Sequence, residues 1–394
     1  MGQDRDANTL ASQASSSPLG VYVHIPFCEK KCFYCDFYSL ENHSQRGAFI
    51  DALVKELSLF GEKYGRRKAD TIFFGGGTPS LLTPSELGQI LSAIDSSFQI
   101  SENLEFTLEC NPGTVDTAYL SEYRSLGVNR LSFGVQSFFD DELKFLSRIH
   151  SAEEAVSAVD KARHAGFHNI NIDMIYALPG QTTERLLENL TRAVSLGTEH
   201  ISAYSLIVEP GTPLNAAVEK GEITPSLEST EMDMYEVVME FMEKNGFIHY
   251  EISNYSRPGY RCRHNLKYWN AEHYVSFGPS AHSYLDGQRW WNVSSLATYL
   301  SELNSGIIPV SVREKLTHSQ LLDEFVLLHL RQGFLNIPEF AAIFSASIPR
   351  SLIAELETAG YCNYDGEMIQ LTKSGFKVSD EISARILSRI SSPT

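Results

Sequence analysis

From about residue 20 to residue 207 the chain alternates between two hydrophobic rhythms. Short apolar runs at residues 22–25, 71–74, 104–110, 130–135, 169–175 and 200–207 predict strands. Between them lie segments with apolar residues at helical spacing. Residues 45–64 place Phe49, Ile50, Leu53, Leu57 and Phe60 on one face, with polar residues between. Residues 85–98, 116–126, 152–165 and 183–195 predict further helices. Strand followed by helix, repeated about six times, implies an α/β class, a parallel sheet covered by helices. In such architectures functional groups gather at the carboxyl ends of the strands. The polar and glycine residues of this chain fall there: a cysteine-rich loop after the first strand, Gly75 to Thr78 after the second, then Glu109, Gln136 and Asp173.

The rhythm changes after residue 207. Residues 231–245 predict a helix rich in Met and aromatic residues, best read as a core-packing face, and residues 246–284 are less regular. From about Lys315 short helices at 321–330, 337–344 and 350–359 precede a hairpin, residues 361–364 and 368–371 about an Asp365-Gly366 turn, and a closing helix at 379–390. Helices followed by a hairpin suggest a C-terminal helical, winged-helix-like domain. Its charge is mixed and it has no Arg/Lys-rich recognition helix, so nucleic acid is not an expected partner. The expected organisation is a disordered tail at 1–19, the α/β unit at 20–225, a connecting segment at 226–310 and the C-terminal domain at 311–394.

Composition narrows this picture. The chain has 394 residues, 43% of them hydrophobic, enough for one large domain and a smaller one. Its formal net charge of −17 argues against a general phosphate-backbone binder. No apolar run is long enough to span a bilayer. The N-terminal residues lack the basic start and apolar core of a signal peptide, so the expected location is cytoplasmic. Six cysteines without such a signal fit a reducing compartment, where thiols bind metal or stay free.

Half of those cysteines, Cys28, Cys32 and Cys35, stand at the spacing Cys-x3-Cys-x2-Cys. Three close thiolates suit a [4Fe–4S] cluster with one iron left open, since such clusters usually take four Cys ligands. Zinc is the rival, although a closed zinc site wants four ligands, usually as two close pairs. Three free thiols in a loop is the remaining reading.

The spacing resembles that of the radical S-adenosylmethionine (SAM) superfamily. The flanks Tyr22-x-His24-Ile25-Pro26-Phe27-Cys28 and Cys35-x-Phe37 resemble the branch that holds oxygen-independent coproporphyrinogen III oxidase (HemN) and the haem chaperone family HemW. The strings around Phe133-Gly134-Val135-Gln136-Ser137 and Ile172-Asp173-Met174-Ile175-Tyr176 match that branch as well. The resemblance implies a partial (β/α)6 barrel, a [4Fe–4S] cluster on the three cysteines and SAM on the open iron. It also implies SAM contacts at Tyr22, Gly76, Gly77, Thr78, Glu109, Gln136, Arg148 and Asp173, with Phe33 and Tyr34 near the adenine. Arg148 would face the SAM carboxylate, whose geometry a guanidinium matches.

Two features separate chaperone from oxidase within the resemblance. Phe37 stands where the oxidase carries a further Cys, and His264-Asn265-Leu266-Lys267-Tyr268-Trp269 matches the His-Asn-x-x-Tyr-Trp motif of the chaperones. Haem contacts are therefore expected at His264, Asn265, Tyr268 and Trp269, with Cys262 and His282 as further candidates. The expected partners are haem and acceptor haemoproteins, compatible with a homodimer and with peripheral membrane contact through the acceptors. Coproporphyrinogen III dehydrogenase, or another radical SAM tetrapyrrole enzyme, is the alternative.

Overall fold

A computed structural model describes residues 17–390 of the protein. Most of the expected N-terminal tail lies outside the described residues. Its last member, Leu19, is fully buried and opens the first strand.

Six parallel strands follow one another across the sheet in chain order: β1 (Leu19–Ile25), β2 (Arg67–Gly76), β3 (Phe98–Cys110), β4 (Arg130–Gln136), β5 (Ile170–Tyr176) and β6 (His200–Ser205). The helices that join them are α1 (Arg46–Tyr64), α2 (Pro84–Ser97), α3 (Thr117–Ser125), α4 (Asp140–Phe145), α5 (Ala152–His164) and α6 (Thr183–Ser195). Helices and inward-facing groups cover both faces of the strands, so these read as almost continuous buried runs. Two of the helices start in capping boxes, Thr83 with Glu86 and Ser151 with Glu154, which satisfy their first free N–H groups. β3 begins six residues before the predicted strand at 104, because Arg67 to Ala69 ladder with Phe98 to Ile100 through backbone alone. Side-chain periodicity does not register such pairing.

Residues 226–310 do more than connect. After α7 (Pro213–Glu219) and α8 (Glu228–Lys244), β7 (Ile248–Glu251) and β8 (Asn254–Ser256) extend the sheet beyond β6, β8 running antiparallel to it. The chain then crosses through α9 (Arg263–Trp269) to the opposite end. There β9 (Tyr274–Phe277) pairs parallel to β1, and β10 (His282–Leu285), β11 (Gln288–Asn292) and β12 (Val310–Lys315) follow, with α10 (Leu296–Asn304) inserted before the last. The result is an open sheet of twelve strands with β12 and β7 at its edges. The strand containing residue 311 thus belongs to this large sheet. Met234, Tyr235, Val238, Met239 and Met242 of α8 are buried, the packing role their composition suggests.

The C-terminal part combines α11 (His318–Arg331), β13 (Phe334–Asn336), α12 (Ile337–Phe344), α13 (Arg350–Thr358), β14 (Cys362–Tyr364), β15 (Met368–Leu371), α14 (Lys373–Lys377) and α15 (Ser379–Leu387). β15 is the centre of a three-stranded antiparallel sheet, one strand more than the predicted hairpin. Its core, from Phe325 to Ile386, is separate from the core of the large sheet. Phe376 packs tilted against His249 with ring centroids 4.3 Å apart, and Arg289 grips Glu324 with two hydrogen bonds of 2.8 Å, joining the two parts.

Candidate functional site

A cavity of about 580 Å³ opens at the carboxyl ends of the parallel strands. Tyr22, Cys28, Cys32, Tyr34, Cys35, Gly76, Gly77, Thr78, Glu109, Gln136, Arg148 and Asp173 all line it. They come from five strands and the loops that follow, gathered by the sheet as the strand-end rule anticipates.

Main-chain bonds hold the cysteine loop in place. The Cys28 N–H donates to Leu40 O at 3.0 Å and the Leu40 N–H to Pro26 O at 2.6 Å, while His24 Nε2 bonds Tyr38 O at 2.8 Å. The N–H groups of Gly77 and Thr78 donate to Ile25 O and Phe27 O, both at 2.8 Å. A Cβ on Gly77 would lie 2.7 Å from each of those two oxygens, and Gly76 has φ +107°. The glycine run therefore fastens the cysteine loop to β2, a requirement of close backbone approach. Thr78 Oγ1 lies 3.5 Å from Cys28 Sγ. Burial pushes the Cys28 thiol up, and the Cys35 thiol up to about 11, so loading a metal on them releases protons.

Arg148 reaches the same loop from beyond α4. Its Nη1 donates to Cys32 Sγ at 3.2 Å and its Nη2 to Gly134 O at 2.6 Å. A Cβ at Gly134 would sit 3.0 Å from Gln136 Nε2 and 3.2 Å from Arg148 Nη2, so glycine there makes room for both. Gln136 has φ 69°, a left-handed backbone that costs a non-glycine residue roughly 1–3 kcal/mol. The register between β4 and β5 slips at this point, which turns Gln136 to the cavity. Behind it Ser137 Oγ, the Glu142 carboxylate and Asn189 form a buried hydrogen-bonded cluster that holds the turn.

Lower in the cavity Glu109 accepts the Gly76 N–H at 3.2 Å. Burial, helped by the nearby charge of Asp173, raises its carboxyl to about 8, against the pull of that N–H and of Arg130. Asp173 accepts from Ser132 Oγ at 3.2 Å and from Asn171 Nδ2 at 2.7 Å, and burial raises its pKa too. Arg130, Ser132, Asn171, Ser202 and Tyr204 share this floor and were not expected as site residues. Their signal was in the sequence. Arg130 and Ser132, Asn171 and Asp173, and Ser202 and Tyr204 stand two apart in otherwise apolar strands, so each pair points to one face.

The haem candidates separate. His264, Asn265 and Tyr268 line the cavity from α9, whereas Trp269 and His282, and the adenine candidate Phe33, are not among its lining residues. The Phe33 ring packs edge-on against Phe145, centroids 6.0 Å apart. His282 is exposed and stacks on Trp291, and Cys262 is a buried thiol pushed up to about 12 by burial. His264 is held from two sides. Its Nδ1 is bonded to Thr71 Oγ1 and its Nε2 to Tyr268 Oη, both at 2.8 Å, inside a ring that is 1% exposed. Burial holds the imidazole neutral, the form a metal binds, with its pKa lowered to about 3, and ligation to iron would displace one of these two bonds.

Among the described residues no three His, Cys, Asp or Glu side chains converge on a site for a single metal ion. All three free thiols of the cysteine loop line the cavity.

Sheet, cysteine loop and cavity together define a protein of the radical SAM class. Residues 22–193 match the family model of the radical SAM superfamily. The solved structure of the radical SAM enzyme coproporphyrinogen III oxidase (HemN) from Escherichia coli superposes with a TM-score of 0.81, covering 98% of this chain and 93% of that one at 23% identity, a likeness of fold. Within the class, the chain is 35% identical to the heme chaperone HemW of Bacillus subtilis (strain 168), over 94% of this chain and 99% of that one. It is 36% identical to the HemW of Mycobacterium tuberculosis (strain ATCC 25618 / H37Rv), over 94% and 95%. The chain belongs to the HemW family.

Proposed function

We propose that the protein is a haem chaperone, which binds haem and hands it to acceptor haemoproteins. The observation that carries this reading is the end-to-end relationship to proteins named heme chaperone HemW. Phe37, 61% exposed at the cavity mouth where the oxidase motif has a further Cys, supports it.

In this reading Cys28, Cys32 and Cys35 hold a [4Fe–4S] cluster and leave one iron for SAM, as the radical SAM family implies. When bound, the pair supplies the one-electron chemistry of that superfamily. The residues around it position and neutralise. Arg148, already fixed by Gly134 and Cys32, keeps further donors toward the cavity for the carboxylate of SAM. The Gly77 and Thr78 N–H groups are spent on the cysteine loop, which leaves backbone carbonyls for the SAM amino group. Glu109 and Asp173 accept from amine or hydroxyl donors. Tyr268 and Asn265 offer a polar and aromatic wall to haem.

The test is anaerobic reconstitution with iron and sulfide, then haem titration followed by absorbance, beside incubation with coproporphyrinogen III, SAM and a reductant. The reading predicts saturable haem binding and no loss of coproporphyrinogen. Protoporphyrinogen formed by protein that binds no haem would replace it with the dehydrogenase.

A further inference from the structure

Arg130 is among the largest fully buried side chains of the protein, 2% exposed at the start of β4, yet its side chain lines the cavity. Its Nε has no hydrogen-bond partner. Among the described residues its guanidinium forms neither an ion pair nor a hydrogen bond. Three acids act on its charge through space, and each is hydrogen-bonded elsewhere. Glu105 accepts the N–H groups of Arg263 at 3.0 Å and His264 at 2.9 Å, where α9 begins. Glu109 accepts Gly76, and Asp173 accepts Ser132 and Asn171. A buried cation with unspent donors is costly to keep, and a planar fork of N–H groups matches a carboxylate.

We propose that Arg130 is a carboxylate-binding residue on the cavity floor, completed by a ligand that enters from the mouth. The inference rests on the functional reading above. That reading offers two carboxylate sources, the propionates of haem and the amino-acid end of SAM. The competing role is that of a structural counter-ion for Glu105, Glu109 and Asp173.

The experiment compares wild type with Arg130→Met and Arg130→Lys, all reconstituted with the cluster. Four probes are titrated: haem, haem dimethyl ester, SAM and decarboxylated SAM. Wild type should prefer the free acid of one pair by about tenfold or more, as expected for a charge-assisted hydrogen bond. In Arg130→Met that preference should fall, toward one for the haem pair or in part for the SAM pair, whose carboxylate Arg148 also faces, and the pair in which it falls identifies the carboxylate. Lys keeps the charge without the fork and should retain part of the preference. A structural role would not change the ratio between a ligand and its ester. Preferences equal in wild type and Arg130→Met would overturn the assignment while leaving the chaperone reading intact. Wild type that binds neither haem nor SAM would remove the functional reading itself, and this inference with it. If Arg130→Met does not fold, Arg130→Lys carries the comparison. Failure of both variants to fold without ligand would assign Arg130 to the counter-ion role and overturn the proposal.

Discussion

Arg148 and Arg130 are two buried guanidiniums on one cavity, and they are held in opposite ways. Arg148 is tied to a carbonyl and a cysteine sulfur at the rim, in a pocket that Gly134 clears for it. Arg130 stands on the floor without a partner among the described residues. The rim is braced by the main chain: glycines, carbonyls and a left-handed Gln136 fix the positions of the thiols and the arginine, and of the arginine's buried donors only Nε is left without a partner. The floor is polar, buried and incomplete. A prefabricated rim suits groups that stay bound, and an incomplete floor suits one that comes and goes.

The largest effect is expected at the rim. Replacing Cys28, Cys32 and Cys35 together with Ala should abolish the cluster, read as loss of iron and sulfide after anaerobic reconstitution. A full complement of iron in the triple variant would end the assignment. Arg148→Ala should weaken SAM binding by roughly 10- to 100-fold, equivalent to about 1.5–3 kcal/mol, and leave iron content unchanged. Calorimetry on reconstituted protein measures this, and an unaltered affinity would make Arg148 purely a brace for the cysteine loop.

Gly77→Ala tests the fastening of loop to sheet. Its Cβ would press on Ile25 O and Phe27 O at 2.7 Å, so a stability loss of about 1–3 kcal/mol is expected, with poorer cluster loading. A thermal melt that matches wild type would show that the loop tolerates the shift.

The smallest effect concerns the floor and pH. The Glu109 carboxyl sits at about 8, above its ordinary 4.5, so the folded state holds this proton more tightly than the unfolded chain does. Its contribution to stability is full below about pH 4.5 and is lost as pH rises through about 8. Glu109→Gln should therefore flatten the decline of Tm across that window, leaving the part due to Asp173, which is shifted the same way by burial. A variant whose Tm falls with pH as steeply as wild type would place the linkage on other groups.

The alternation of strands and helices was legible because six buried parallel strands need continuous apolar runs and their helices need one apolar face. The rim was legible for the same reason: residues at strand ends converge whatever the loops do. The second half of the sheet was not. β9 is four residues long and pairs with β1, some 250 positions earlier (274 − 20 = 254), so no local pattern announces it. His264 shows the same limit. The motif around it falls on a helix that faces the cavity, but its hydrogen bond to Thr71, 193 residues away, exists only in the folded chain. The floor is an intermediate case. Polar residues two apart in buried strands announce an inward polar face, but which of them lacks a partner is a property of the assembled sheet.

The central claim is that three thiolates hold a cluster with one iron open to SAM at this rim. Electron paramagnetic resonance of the reduced, reconstituted protein, recorded before and after adding SAM, tests it most directly. The account predicts a [4Fe–4S] signal whose g values shift when SAM binds the open iron. A spectrum that SAM leaves unchanged, at concentrations where calorimetry shows it bound, would contradict it.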